Sequence, residues 1–460
     1  MKNLALTVFT FLLILSWTSN YAQDWQQFLG PERNSTSPQK NLLRSWPESG
    51  PEVLWSVDIG IGYGGPVAKD GKVYMLDRMD EEGDKMRCFD LKTGEELWRF
   101  EYDAAGDVMF PGSRSVPAID GDYVYSCGPF GDLYCFDINT HKPVWNTNMW
   151  TNFGGDPGNG SENESGGGFG GRGNFPIWAI SQCPLVYGEL LIVLSQAPEA
   201  GAVAYNKKTG DVVWKTPNLG NESYTSPSVA KIDGEDHIVM VISSTNPIGR
   251  SELPQTKGRI VGLEPLTGNI LWDYNEWDCH ISVPSAIDAG DNKVLVVGGY
   301  ELGATMIKVD KQEDGNYKTT EIFTTEEFGD QTKPPVLYNG YFYAQFGTNR
   351  TRDGLVCMNM DGEVMWKTKR DPDFNKGSMI LADGLLLATD GAKKLYLIDP
   401  DPSGFKPISS AEILGEPKIQ AEGIEARVGG NMQNWAPIAL ADGRLLIRDQ
   451  NRMMCLKVVQ

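Results

Sequence analysis

Between residues 53 and 459, short apolar or alternating stretches follow one another with turns between them, and none holds a 3.6-residue apolar period. Period-two runs bounded by Asp, Asn, Gly and Pro predict β-strands joined as hairpins. Eight variants of one hairpin recur: YGGPVAKDGKVYML, SRSVPAIDGDYVYS, AISQCPLVYGELLIV, YTSPSVAKIDGEDHIVMV, ISVPSAIDAGDNKVLVV, TKPPVLYNGYFYA, NKGSMILADGLLLA and NWAPIALADGRLLI. Asp70-Gly71, Asp120-Gly121, Asp233-Gly234, Asn339-Gly340, Asp383-Gly384 and Asp442-Gly443 predict type I′ turns, which need positive φ at both central residues. Pro66, Pro117, Pro184, Pro227, Pro284, Pro335 and Pro437 stand near the start of each first strand, where a missing N–H is tolerated.

A second pattern falls between the hairpins. CFDLKTGEELW (88–98), CFDINTHKPVW (135–145), AYNKKTGDVVW (204–214), GLEPLTGNILW (262–272) and CMNMDGEVMW (357–366) each join two strands through a tight turn and close on Trp. The unit recurs every 40 to 70 residues over its first four copies, which is the spacing of a repeat architecture. Hairpin plus Trp-closed hairpin makes four strands. Eight such sets predict an all-β, eight-bladed β-propeller of four-stranded antiparallel blades. Two blades lack the Trp, and their last strands are expected near residues 321–324 and 411–414. The last hairpin leads only to MMCLKVV (453–459), while VLWSVDI (53–59) has no blade before it. Residues 53–57 are therefore expected to complete the last blade and remove the open edges of the ring.

The pattern D-x-x-T-G-x-x-x-W resembles the tryptophan-docking repeat of the pyrroloquinoline quinone (PQQ)-like propeller superfamily. That group includes quinoprotein alcohol dehydrogenases and an outer-membrane assembly lipoprotein. The likeness covers about residues 50–460 and implies the fold; one fold carries several functions. For the dehydrogenases it implies PQQ, Ca²⁺ held by acidic and amide side chains, and a disulfide of adjacent cysteines against the cofactor. No two cysteines are adjacent here.

Composition narrows the class. Residues 1–22 hold Lys2, an apolar run and then small and polar residues, which reads as a secretory signal; a retained anchor is the alternative. Residues 23–460 then form one propeller domain, with a Gly-rich loop inserted at 153–176. No Cys precedes Cys88, so the expected product is exported, periplasmic or secreted, and not a lipoprotein. No other stretch is long and apolar enough to span a bilayer. A net charge of −20 argues against nucleic acid as a partner. Cys88, Cys135, Cys357 and Cys455 occupy one repeated slot in the third strand and read as small core residues. Pairing of Cys127, Cys183 and Cys279 stays open.

Propeller ligands sit where the loops entering each first strand meet. Those loops carry Arg114, Trp178, Gln182, Tyr224, Trp277, Asp278, His280, Gln331, Lys333, Lys376, Gln433, Asn434 and Trp435. Loops between second and third strands add Arg78, Arg250, Glu301, Asn349, Arg350, Arg352, Arg448 and Asn451. PQQ is a planar tricarboxylate; it needs cations or amides at its edge and an aromatic face. Arg114, Lys333, Lys376 and Asn434 are the candidates for the edge, with Trp277 or Trp435 for the face. The bland alternative is a polar rim facing water. The G-x-G-x-x-G within 153–176 has no βαβ context. DPDFNKG (371–377) and DPDPSG (399–404) alternate oxygens as calcium loops do but lack the bidentate Glu. Of three His, His280 alone falls at the rim. Two readings follow: a quinoprotein-like binder of PQQ or a sugar-like ligand, oxidising an alcohol or carbohydrate; or a non-catalytic envelope scaffold, or an accessory in polysaccharide breakdown, whose partner is a glycan or an envelope protein.

Overall fold

The computed structural model describes residues 23–108, 110–156, 175–176, 178–221, 223–244, 257–347, 352–415 and 433–460. The proposed signal, and most of the Gly-rich insertion, lie outside them. Strands order themselves into eight sheets, each an antiparallel blade of four consecutive strands except where the ring closes; the blade at 379–412 carries a fifth, parallel strand, Thr36–Ser37. Blade 1 runs Val67–Lys69, Lys72–Met79, Gly83–Asp90 and Glu96–Tyr102. Blades 2 to 7 follow at residues 118–148, 185–215, 228–274, 287–325, 336–367 and 379–412. Blade 8 takes three strands from 439–457 and its fourth from Val53–Asp58, paired antiparallel with Arg452–Lys457. The ring is thus closed by its N-terminal strand, as the orphan Trp-bearing segment predicts. Among the described residues there is no α-helix, only a 3-10 turn at Thr151–Phe153.

What holds blade to blade is an aromatic side chain laid on the next blade's turn. Trp55, Trp145 and Trp214 are about 8–9 % exposed, and their indole N–H groups donate to Leu91 O at 2.9 Å, Lys207 O at 3.0 Å and Pro265 O at 3.0 Å. Each acceptor lies in the following blade. The turn glycines there, Gly94, Gly210 and Gly268, have φ near 75° and would place a Cβ within 2.7 Å of the indole ring; Gly serves both needs at once. Opposite each Trp on the neighbouring strand stands a small residue: Cys88 faces Trp98, Cys135 Trp145, Ala204 Trp214, Gly262 Trp272, Cys357 Trp366 and Cys455 Trp55. That is the physical content of the repeated Cys slot. All seven cysteines are free and buried, and burial pushes the Cys88 thiol up to about 12.

Where the turn chemistry changes, docking changes with it. His141 replaces the turn Gly in blade 2, holds φ 61°, and stacks on Trp98 with centroids 5.1 Å apart. Blade 5 has no Thr-Gly turn, so Trp272 folds back over Gly262 and donates to His237 Nδ1 of its own blade at 2.9 Å. Phe323 takes the Trp position in blade 5 and packs on Gly362. In blade 7 the position is Ser409, and its hydroxyl accepts the backbone N–H of buried Trp46.

Two local expectations need correction. The fourth strands of blades 5 and 7 are Tyr317–Thr325 and Lys406–Glu412. The second starts and ends earlier than residues 411–414, because Asp401 caps its turn through Ser403 N and Lys406. Asp120-Gly121 is not a type I′ pair: Asp120 still belongs to the strand, and only Gly121 of the Gly121-Asp122 loop has positive φ, 55°, the type II′ pattern. The other five pairs have both residues at positive φ.

Replacing Trp145 by Ala should lower stability by about 3–5 kcal/mol in urea unfolding, whereas Val144→Ala, at a side chain 47 % exposed on the same strand, should change it by less than about 0.5 kcal/mol. Equal effects would refute the docking role. Denatured without reductant, the protein should titrate seven thiols per chain, matching the seven free cysteines; fewer would reveal a disulfide.

Candidate ligand site at the channel mouth

A Pro or Ser stands within two residues before each first strand, and loops entering the non-adjacent blades 6 and 8 meet. Lys333, entering blade 6, reaches past blade 7: its ammonium donates to Trp435 O and, at 3.4 Å, to Lys376 O. Lys376, entering blade 7, holds its ammonium 4.4 Å from the centroid of the Trp435 ring. Tyr63, entering blade 1, lies 5.5 Å from Trp435 and 6.2 Å from Phe110, and its hydroxyl donates to Gln433 Oε1 at 2.7 Å. Arg114, entering blade 2, donates to Phe110 O and Trp178 O. Arg448 donates to Gly60 O at 2.7 Å and Gly64 O at 3.2 Å.

Arg114, Lys333, Lys376 and Trp435 are therefore brought to one place. Asn434 adjoins them but is committed to structure, with Nδ2 donating to Ala392 O and, at 3.2 Å, to Gly415 O. Trp277 stands apart, 6 % exposed in an apolar core with Cys279 and Tyr274. A second aromatic group is joined to the first through Arg114: Trp178 is 5.2 Å from Tyr224 and 6.5 Å from Tyr300, and Tyr300 is 6.1 Å from His280. Of the second-to-third-strand candidates, Arg78 is fully buried in ion pairs with Asp80 and Asp84, and Arg352 pairs with Asp373. Arg250, Asn349 and Arg350 lie outside the described residues.

Tyr63, Phe110, Gln450 and Asp330 were not singled out from sequence. Tyr63 opens the first of the eight hairpins, so the loop rule applied to blade 1 would have found it. Gln450 donates to Gln433 O at 2.6 Å and accepts from Gly62 N at 3.2 Å, fastening the loops of blades 8 and 1. Asp330 caps the Lys333 loop, accepting the backbone N–H groups of Thr332, Lys333 and Gln345; burial nonetheless pushes its carboxyl up to about 6.

The electrostatics are unusual for an acidic chain. Burial lowers Lys333 and Lys376 to about 8 and Arg114 and Arg448 to about 10. Among the described residues neither lysine ammonium makes an ion pair; their partners are carbonyls and a ring face. Desolvated cations capped by neutral acceptors favour an incoming anion, and Trp435 and Tyr63 offer aromatic surface beside them. This donor set suits the carboxylates of a planar polycarboxylate such as PQQ. Calcium is a different case: among the described residues no group of three His, Cys, Asp or Glu side chains could hold a metal, and Asp373 and Asp401 of the two oxygen-rich segments face Arg352 and Lys406.

A family model described as the outer membrane protein assembly factor BamB matches residues 82–322, just over half of the chain. No curated protein matches. Among solved structures, BamB from Moraxella catarrhalis superposes with a TM-score of 0.55 at 13 % identity, over 88 % of this chain and 100 % of its own. Quinohemoprotein alcohol dehydrogenase from Comamonas testosteroni gives 0.61 at 13 %, over 95 % and 80 %. A europium-containing methanol dehydrogenase gives 0.60 at 11 %, over 95 % and 98 %. Identities this low speak for the fold alone. No helix among the described residues is long and apolar enough to cross a membrane.

Lys333 supplies a pH test of this geometry. Its folded value of about 8 lies below the ordinary 10.5, so between these values the unfolded chain binds more protons and stability rises with pH. The stability of wild type relative to Lys333→Met should therefore be lowest below pH 8 and rise by roughly 3 kcal/mol toward pH 10.5. A pH-independent difference would place the ammonium in water.

Proposed function

We propose, for a chain that belongs to the PQQ-like propeller family described as outer membrane protein assembly factor BamB, that the channel mouth binds a planar polyanionic ligand of the PQQ type. The observation that carries this is the convergence of Lys333, Lys376, Arg114 and Arg448 on Trp435 and Tyr63, with Lys333, Arg114 and Arg448 donating to carbonyls and Lys376 set over the Trp435 ring. Lys376 and Lys333 would meet carboxylates, and Trp435 and Tyr63 would border the ring. Bound PQQ supplies an ortho-quinone that accepts two electrons. This chain offers no adjacent cysteine pair against it, and His280 is the rim side chain suited to proton transfer, its imidazole held below the ordinary value by burial. Ligand retention without turnover is accordingly the reading we favour, in a protein exported by residues 1–22. The second reading is an envelope scaffold or an accessory in polysaccharide breakdown, with an envelope protein or a glycan as its partner; the family description favours the scaffold.

The experiment is calorimetric titration with PQQ at low salt, alongside dye reduction. Wild type should bind, and Lys376→Ala should weaken binding by about 1.5–3 kcal/mol, the range for a hydrogen bond to a charged group, with the fold unchanged. Affinity should fall as salt rises. It should also fall above pH 8, by up to about tenfold per pH unit for each lysine, because the anion needs the protonated form. Absence of binding would leave the scaffold; binding with dye reduction would make the protein a dehydrogenase.

A further inference from the structure

The segment preceding the ring-closing strand is bonded to blades on opposite sides of the ring. Gln23 O accepts Asp442 N of blade 8 at 3.0 Å, Trp25 bridges Ala68 of blade 1, and Gln26 O accepts Ile119 N of blade 2 at 2.8 Å. Arg33 then donates to Pro184 O at the start of blade 3 at 3.2 Å and to Pro227 O at the start of blade 4 at 2.9 Å. Two residues on, Ser35 O accepts Leu381 N of blade 7 at 2.9 Å, and Thr36–Ser37 pair in parallel with Leu381–Ala382. In an eight-membered ring, blade 3 faces blade 7 and blade 4 faces blade 8. A chain bonded to opposite blades within residues 33–35 joins the two sides of the ring. Leu29, Arg33 and Ser35 hold positive φ of 63°, 51° and 61° to do so, strain that persists where surrounding structure fixes it.

The Arg33 guanidinium donates to Gln27 Oε1 of its own segment at 3.3 Å and lies 5.9 Å from the centroid of the Phe28 ring. It sits among the carbonyls of residues 183, 184 and 227, which begin the inner strands. It makes no ion pair among the described residues, and Cys183 lies within electrostatic reach of both Arg33 and Lys333. Arg33 is thus a further part-buried cation held by neutral acceptors, at the entries to blades 3 and 4.

We propose that Arg33 is the floor of the anion site, so that the ligand carries negative groups both at its rim edge and at its inner end, as a polycarboxylate does and a monocarboxylate does not. This rests on the reading of the mouth as an anion site. The test uses the full mature chain and two probes, PQQ and benzoate. Wild type should bind PQQ at least a hundredfold more tightly than benzoate. Arg33→Gln should reduce PQQ affinity at least tenfold and flatten its salt dependence, while Arg33→Lys keeps affinity within about threefold. Hydrogen–deuterium exchange on wild type covers the case of an unfolded variant: amides of residues 27–35 should slow when PQQ binds. Unchanged PQQ affinity in Arg33→Gln, or unchanged exchange in 27–35, overturns the floor while leaving the mouth intact if Lys376→Ala still weakens binding. No PQQ binding by wild type overturns both.

Discussion

The ring depends on one contact repeated around it: an aromatic side chain from the fourth strand of one blade lying on the turn of the next. A four-stranded sheet cannot bury both of its faces alone, and neighbouring blades supply what each lacks. Docking adds direction to that burial. A Trp buries 150–250 Å² of surface, on the order of 4–6 kcal/mol of transfer free energy, and its N–H bond to the following turn fixes the rotation between blades. Cys, Ala or Gly opposite the Trp leaves the space, and Gly in the turn lets backbone reach the ring face. The exceptions follow the same physics: His141 offers a ring where Gly would offer backbone, and Trp272 finds an imidazole in its own blade when the next has no tight turn.

Because the outer strands and turns carry the cohesion, the loops at the opposite end of each inner strand are released from it. They are nonetheless firmly fixed, through bonds between loops rather than into the core. Lys333 ties the entries to blades 6, 7 and 8, Arg114 those to blades 2 and 3, and Gln450 those to blades 8 and 1. A mouth built this way is preorganised, and ligand binding there needs little ordering of side chains.

The fold was legible because docking writes a local signature: Asp, Thr-Gly and Trp at fixed spacing, with Pro before each first strand. Blade number, ring closure by 53–58 and the Cys slot all follow from that signature. The blade 7 strand was misplaced where the signature is missing, since nothing local marks Ser409 as the Trp position. The site was legible only as a set of loops. Which side chains meet depends on distances across the axis, between residues as far apart as Tyr63 and Trp435, and no local pattern encodes these. Trp277 and Trp435 look alike in sequence, yet one fills a core and the other borders Lys376. The segment at 23–46 has no repeat character at all, so its bonds to opposite blades left no trace in the hairpin pattern.

A chain of net charge −20 has carboxylates enough to neutralise every cation at its mouth, and elsewhere on its surface it does so: Arg352 has Asp373, Arg259 has Asp273 and Lys406 has Asp401. At the mouth, Lys333, Lys376 and Arg448 are given carbonyls and a ring face instead, and burial lowers the affinity of each for its proton. Holding desolvated charge with no carboxylate in ion-pair contact is unfavourable, and Asp330 near the two lysines and Asp77 and Asp449 near Arg448 offset only part of the cost. A surface selected only to meet another protein could reach the same shape with neutral or paired side chains. Lys333 spends its charge on carbonyls that fasten three loop entries, and burial lowers its affinity for the proton it keeps there.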